Sequence, residues 1–226
     1  MAQHCHQGHR ERLKERFLQE GTLDHFTDHQ VLELLLFYAV PRADTNPIAH
    51  ELIEQFGSFA SVLEKPVEEL EKIPGLGKSS AIFLKLILDS ARRYCEEQVD
   101  PALILNTADK MVRFLKPKFV GRTKEVLCCV CMDNSCRVVS CDMMFEGTVN
   151  AASISTRAIV EAAIRHNSSN VLLAHNHPQG LALPSNEDIV TTQDIKKALA
   201  AVEVTLVDHI IVVRDDCVSL LESGYL

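Results

Sequence analysis

Near residue 95 the spacing of apolar residues changes character, and this divides the chain into two parts of different fold class. Before it, apolar residues recur at intervals of three and four, the signature of amphipathic helices. Thr27 with Gln30 forms a capping box for a helix over Val31 to Ala39, closed by Pro41. Asn46 and Pro47 open a second helix that Gly57 stops, Pro66 starts a short one ending at Leu70, and Ser79 to Tyr94 reads as a long amphipathic helix. The polar run from Cys95 to Pro101 is the expected linker. Beyond it, Thr107 to Leu115 and Ser155 to His166 keep a helical period, whereas Glu125 to Asp133 and Arg137 to Phe145 read as strands joined by the turn Asp133-Asn134-Ser135. A short apolar strand over Asn170 to Ala174, a helix over Asn186 to Ala200 and a strand over Val204 to Val213 complete the alternation. The expectation is an all-helical domain over 1–98 followed by an α/β domain over 104–226.

Composition narrows the function classes. A net charge of -8 argues against a general nucleic-acid coat, though a local basic site stays open. No window approaches the roughly 20 apolar residues of a membrane span, and the start lacks a signal-peptide pattern, so a cytoplasmic protein without membrane contact is expected. Of the eight cysteines, five crowd between Cys128 and Cys141. Cys128 and Cys129 must point to opposite faces of a strand, so the group is expected to be buried, reduced thiols and not a metal cluster.

The chemistry concentrates after the apolar strand, where Leu172 to Asp188 carries the spacing H-x-H-P-x6-S-x2-D. Side chains two apart on an extended chain share a face, so His175 and His177 can aim at one ion. With Asp188 they make a nitrogen and oxygen donor set that suits zinc, and three protein ligands leave a fourth position for water. Bound water of lowered pKa is a nucleophile near neutral pH. Taken separately, the histidines read as an incidental strand pair and Ser185 with Asp188 as a helix capping box.

This pattern resembles the JAMM signature of the JAB/MPN metallopeptidases. The combination of His-Asn-His-Pro, Pro184-Ser185, Glu187-Asp188 and Asp208-His209-Ile-Ile-Val is similar to the RadC family (UPF0758), over nearly the whole chain. The resemblance implies a JAB/MPN-type mixed β-sheet flanked by helices, cytidine-deaminase-like, preceded by an all-α helix-hairpin-helix domain. It implies one Zn2+ on His175, His177 and Asp188, with Ser185 donating a hydrogen bond to a developing oxyanion. It also implies a glutamate at the entrance of a hairpin strand as proton shuttle; Glu125 matches that placement, and Glu146 and Asp142 compete for it. Two places depart from the family pattern: Gln179 stands for a usual serine, and Ser155-Thr156-Arg157-Ala158 for a His-Pro-Arg-Glu run. Asp208 and His209 read equally as partners of the ligands and as core residues, and stay outside the expected site.

In the helical half, Ile73-Pro-Gly-Leu-Gly-Lys-Ser-Ser-Ala81 has the form of a helix-hairpin-helix turn. Main-chain N–H groups at Gly75, Gly77 and Lys78 could hold a DNA phosphate, and five basic residues lie between Lys72 and Arg93 against one acidic. His4, His6 and His9 around Cys5 read as a frayed terminus. The expected function is a zinc hydrolase acting on a protein or peptide substrate. The rivals are a non-catalytic DNA-associated protein with a structural zinc site, and a nuclease.

Overall fold

The structure is a computed structural model and describes residues 8–100, 102–147, 155–178, 180–214 and 216–226. The chain divides into two compact units, with the boundary between Ala91 and Arg92. His4, Cys5, His6 and Gln179 lie outside the described residues.

The first unit is helical: α1 (His9–Glu20), α2 (Asp28–Ala39), α3 (Asn46–Phe56), α4 (Phe59–Glu64), α5 (Val67–Leu70) and the start of α6 (Lys78–Glu97). Thr27 and Gln30 close the expected capping box on α2, Pro47 sits in the first turn of α3, and Gly57 ends α3 with φ 92°. Leu32, Leu36, Leu52, Val62, Leu70, Ile73 and Leu84 fill the core between these helices. Helix α1 places His9 in regular structure and not in a frayed end. The Arg10 guanidinium secures α1 by donating to the main-chain oxygens of Phe37 in the last turn of α2 and of Val40, Pro41 and Ala43 beyond it. Cys95 to Glu97, expected in a linker, continue α6; the i,i+4 pairs Arg92–Glu96 and Arg93–Glu97 support these last turns.

The second unit is a five-stranded mixed sheet flanked by helices. Its elements after α6 are α7 (Ala108–Phe119), β1 (Glu125–Met132), β2 (Val138–Gly147), α8 (Thr156–Arg165), β3 (Asn170–Asn176), α9 (Asn186–Ala200), β4 (Thr205–Val213) and β5 (Asp216–Ser219). The strand order is β2-β1-β3-β4-β5, with β3 and β4 parallel across the α9 connection and the other neighbours antiparallel. Helix α7 outruns its expected end at Leu115 because Pro117 falls in its last turn, where the helix is ending in any case. At the β1–β2 turn, Asp133 Oδ1 accepts from the N–H groups of Ser135 and Arg137.

Strand alternation sorts the side chains onto two faces. Val126, Cys128, Val130, Met132, Leu172 and Ala174 pack under α7 with Met111, Leu115 and Phe119. Leu127, Cys129, Cys131, Val171 and Leu173 pack against Ile159 and Ala162 of α8 and Ile195 and Leu199 of α9. Each fully buried leucine or isoleucine contributes about 1.5–3 kcal/mol to this two-sided core. Cys128 and Cys129 face opposite ways as buried free thiols. Glu125, His175 and His177 continue the α8/α9 set by parity, so the fold carries all three on one face.

Candidate metal centre

His175 is the penultimate residue of β3, and His177 follows where the strand gives way to the loop leading to α9. The ladder with β4 holds both: His175 is registered with Ile211, and the His177 N–H donates to the Val212 oxygen at 3.1 Å. Asp188 sits in the first turn of α9, where Ser185 caps the helix. The expected capping box is therefore present, and it is built on the same Asp188 that the spacing offers as a ligand. Ser185 Oγ accepts from the Asp188 N–H at 3.0 Å, and the Ser185 hydroxyl and N–H both donate to Asp188 Oδ2, at 2.7 and 2.8 Å. These two bonds orient the carboxylate and leave Oδ1 toward His175 Nε2, 3.4 Å away.

Ligand atoms of His175, His177 and Asp188 lie within 4.8 Å of one another, and among the described residues this is the group of metal-ligating side chains so assembled. The two Nε2 atoms are 2.8 Å apart, and Asp188 Oδ2 is 3.6 Å from His177 Nε2. On the far side of its ring, His177 Nδ1 is 3.3 Å from the main-chain oxygen of Leu181. A carbonyl only accepts, so that Nδ1 carries the proton and the Nε2 lone pair of a neutral His177 faces Asp188 and His175. A buried carboxylate and imidazole lone pairs converging at this range repel one another unless a proton or a metal cation lies between them.

The electrostatics agree. The Asp188 carboxylate beside His177, with the Leu181 carbonyl and the Glu125 charge, raises the His177 pKa above its ordinary value despite partial burial. Burial pushes His175 down to about 4. Burial opposes ionisation of Asp188, yet hydrogen bonding toward His177 and Ser185 and the field of His175 hold its carboxyl below the usual range.

Glu125 heads β1 opposite Gly147, is half-buried, and acts electrostatically on His177. Its two competitors are engaged elsewhere: Glu146 pairs with Arg122 at 3.3 Å, and Asp142 with His166 at 3.1 Å and Ser140 at 2.7 Å. The strand entrance that carries Glu125 is fastened to β3 by Asn176, which strand alternation assigns to the other face from the two histidines. Asn176 Oδ1 accepts the Val126 N–H at 2.7 Å, while its Nδ2 donates to the main-chain oxygens of Lys124 and Arg122 at 3.1 and 3.3 Å. The β1–β3 ladder ends at Leu127 and His175, and this amide extends it by one rung.

Three residues near the site were missed or set aside on sequence alone. Fully buried His209 lies beside His175, with Nε2 2.7 Å from His175 Nδ1. Thr192, one turn beyond Asp188, contacts the other nitrogen of His209 at 2.6 Å. Asn176 stands inside the motif but offers no ligand chemistry. The His209 signal was present in the Asp-His pair on an apolar strand, but the pair reads equally as core. Asp208 does serve the core, accepting from the Ser219 hydroxyl and from the N–H groups of His209 and Leu221.

In the helical unit, Gly75 adopts φ 85° in the turn before α6, and a Cβ there would meet Ile48 Cδ1 at 2.9 Å. Its presence is therefore explained by the fold. Gly77 faces open space and Lys78 is exposed at the start of α6. Among the neighbouring cations, Lys72 pairs with Glu69, Lys85 donates to the Leu63 oxygen, and Arg92 and Arg93 pair with Glu96 and Glu97. No helix among the described residues is long and apolar enough to cross a membrane.

Residues 105–225 match the RadC-like JAB domain. Over its full length the chain is 34% identical to a UPF0758 protein of Fusobacterium nucleatum subsp. nucleatum, covering all of both chains. It is 35% identical to a UPF0758 protein of Nitrosococcus oceani over 96% of each chain, and 33% identical to one of Stenotrophomonas maltophilia over 96% of this chain and 92% of the relative.

Proposed function

Since this chain belongs to the family of proteins with a RadC-like JAB domain, we propose that its His175, His177 and Asp188 hold one zinc ion and that it is a hydrolase of peptide or isopeptide bonds. The observation that carries the reading is the convergence of two imidazoles and a buried carboxylate on one point. Two nitrogens and one oxygen suit zinc and leave an open coordination position, the arrangement of catalytic and not of structural sites. Zinc bound there would acidify a water and polarise a carbonyl.

The chain's own residues supply the rest. Glu125, on the same face as the histidines and within the field of His177, takes the proton from the attacking water and returns it to the leaving amine. Ser185 holds Asp188 Oδ2, which leaves Oδ1 as the oxygen that would bind the ion. The oxyanion role implied for Ser185 requires its hydroxyl to turn from Oδ2 toward the substrate, which the 2.7 Å bond opposes. We therefore assign Ser185 first to orienting Asp188 and only then to the oxyanion.

The test is metal analysis of freshly purified protein with hydrolysis assays on peptide, isopeptide and DNA substrates. About one equivalent of zinc, and amide hydrolysis lost in Glu125→Gln with zinc retained, is the expected result. No bound metal together with unchanged behaviour of His177→Ala would overturn the reading. DNA contact through Gly75, Gly77 and Lys78 is a second reading, favoured by the exposed Lys78 at the start of a 20-residue helix. It is weakened by the internal partners of the surrounding cations.

A further inference from the structure

His209 has no part in the reading above, yet its ring is enclosed between two groups that each require something definite of it. Three contacts run in series: His175 Nδ1 to His209 Nε2 at 2.7 Å, His209 Nδ1 to Thr192 Oγ1 at 2.6 Å, and Thr192 Oγ1 to the main-chain oxygen of Asp188 at 2.6 Å. Each contact needs one proton, and the far end decides where the protons sit. The Asp188 carbonyl has none to give, so the Thr192 hydroxyl donates to it. That hydroxyl has a single proton, so toward His209 it can only accept. His209 Nδ1 therefore carries a proton, and a neutral imidazole has no second one, so His209 Nε2 is bare. It accepts from His175 Nδ1–H, which leaves His175 Nε2 bare as well. Reversing the series would face the lone pairs of two oxygens at 2.6 Å. A doubly protonated His209 would drive the His175 proton onto Nε2, the atom that must ligate.

Resting on the reading of His175, His177 and Asp188 as a metal site, we infer that His209 and Thr192 are positioning residues that fix the tautomer of His175 by transmitting the polarity of a carbonyl in the first turn of α9. The series starts at one ligand on β3, passes through β4 and ends on the backbone of another ligand. It sets the nitrogen of one according to where the other is held, before any ion arrives. Ligating histidines generally depend on such a partner at their second nitrogen; here that partner is a second histidine whose own proton is assigned by a threonine.

The experiment uses the full-length protein. Zinc affinity is measured by competition with a chromogenic chelator for wild type, Thr192→Val and Thr192→Ser, and imidazole tautomers are read by nitrogen NMR on histidine-labelled wild type, with and without zinc. Thr192→Val should weaken zinc binding about 10–100-fold, and Thr192→Ser, which keeps the hydroxyl, should recover most of it. In wild type, His209 should show its proton on Nδ1 in both states. Valine binding zinc as tightly as wild type, or a His209 proton on Nε2 in wild type, overturns the inference and leaves the metal site standing. Failure of wild type to bind zinc overturns the metal reading and this inference with it.

Discussion

Replacing Asn176 by alanine removes the side chain that fastens the Glu125 strand entrance to β3 while leaving both histidines untouched. The buried Val126 N–H loses its acceptor, and an unsatisfied buried donor costs about 1–3 kcal/mol. The two carbonyls released, on half-buried Arg122 and exposed Lys124, can turn to water, so their loss costs about 0.5 kcal/mol each. The sum is about 2–4 kcal/mol, concentrated at the start of β1. Because the chain has two units, a single global unfolding energy is a poor measure. Amide hydrogen exchange resolves the site: Val126 should exchange about 30- to 700-fold faster, at 1.4 kcal/mol per factor of ten, with the middle of β3 far less affected. If the assignment of Glu125 is right, kcat falls with it while zinc content is kept. Unchanged protection at Val126 would refute the reasoning at its first step, and faster exchange at Val126 without loss of hydrolysis would refute its second.

Four further outcomes follow from the geometry. Gly75→Ala should destabilise the helical unit by about 1–3 kcal/mol, from the positive φ and the contact with Ile48, whereas Gly77→Ala should be close to neutral; thermal melts of the two variants make the comparison. Zinc and a proton compete for His177 Nε2, so affinity should climb about tenfold per pH unit below the His177 pKa and level off above it. Since that pKa is raised above 6.5, the climb should continue past pH 6.5 in calorimetric titrations. In the metal-free protein the same shift stabilises the fold fully below pH 6.5 and is lost as pH rises through the folded pKa, while the depressed Asp188 pKa stabilises above the ordinary carboxylate range and is lost in acid. Any DNA binding should weaken with added salt and drop with Lys78→Glu; retention of binding in that variant would remove Lys78 from the contact.

Legibility in the sequence followed the range of the interactions. Helices with local caps could be read closely: the Thr27–Gln30 box starts α2, and Asn186 to Ala200 is α9 as expected. The four-residue β5 escaped notice because Asp-Cys-Val-Ser shows no alternation and owes its strand form to pairing with β4. The end of α6 was missed because charged residues read as a linker even where they make pairs along a helix. At the site, His175, His177 and Asp188 were visible because their spacing is itself the chemistry. The outer residues were not, since Thr192 and His209 are 17 positions apart and meet only when α9 lies on the sheet. Asn176 shows how two-residue alternation can mislead: the residue between two ligands looks like a spacer, yet it faces the other way and does separate work.

Both tautomers at this centre end on main-chain oxygens, Leu181 for His177 and Asp188 for His175. Point mutation can exchange any side chain but leaves every carbonyl in place. This part of the design is therefore stored in the path of the backbone and not in the residue alphabet. The loop around Leu181 and Leu183, both exposed, can change its letters, and with them what it presents to a partner, while the instruction to His177 survives so long as the chain turns where it does. Divergence at the rim and constancy at the histidines are then compatible within a single short segment.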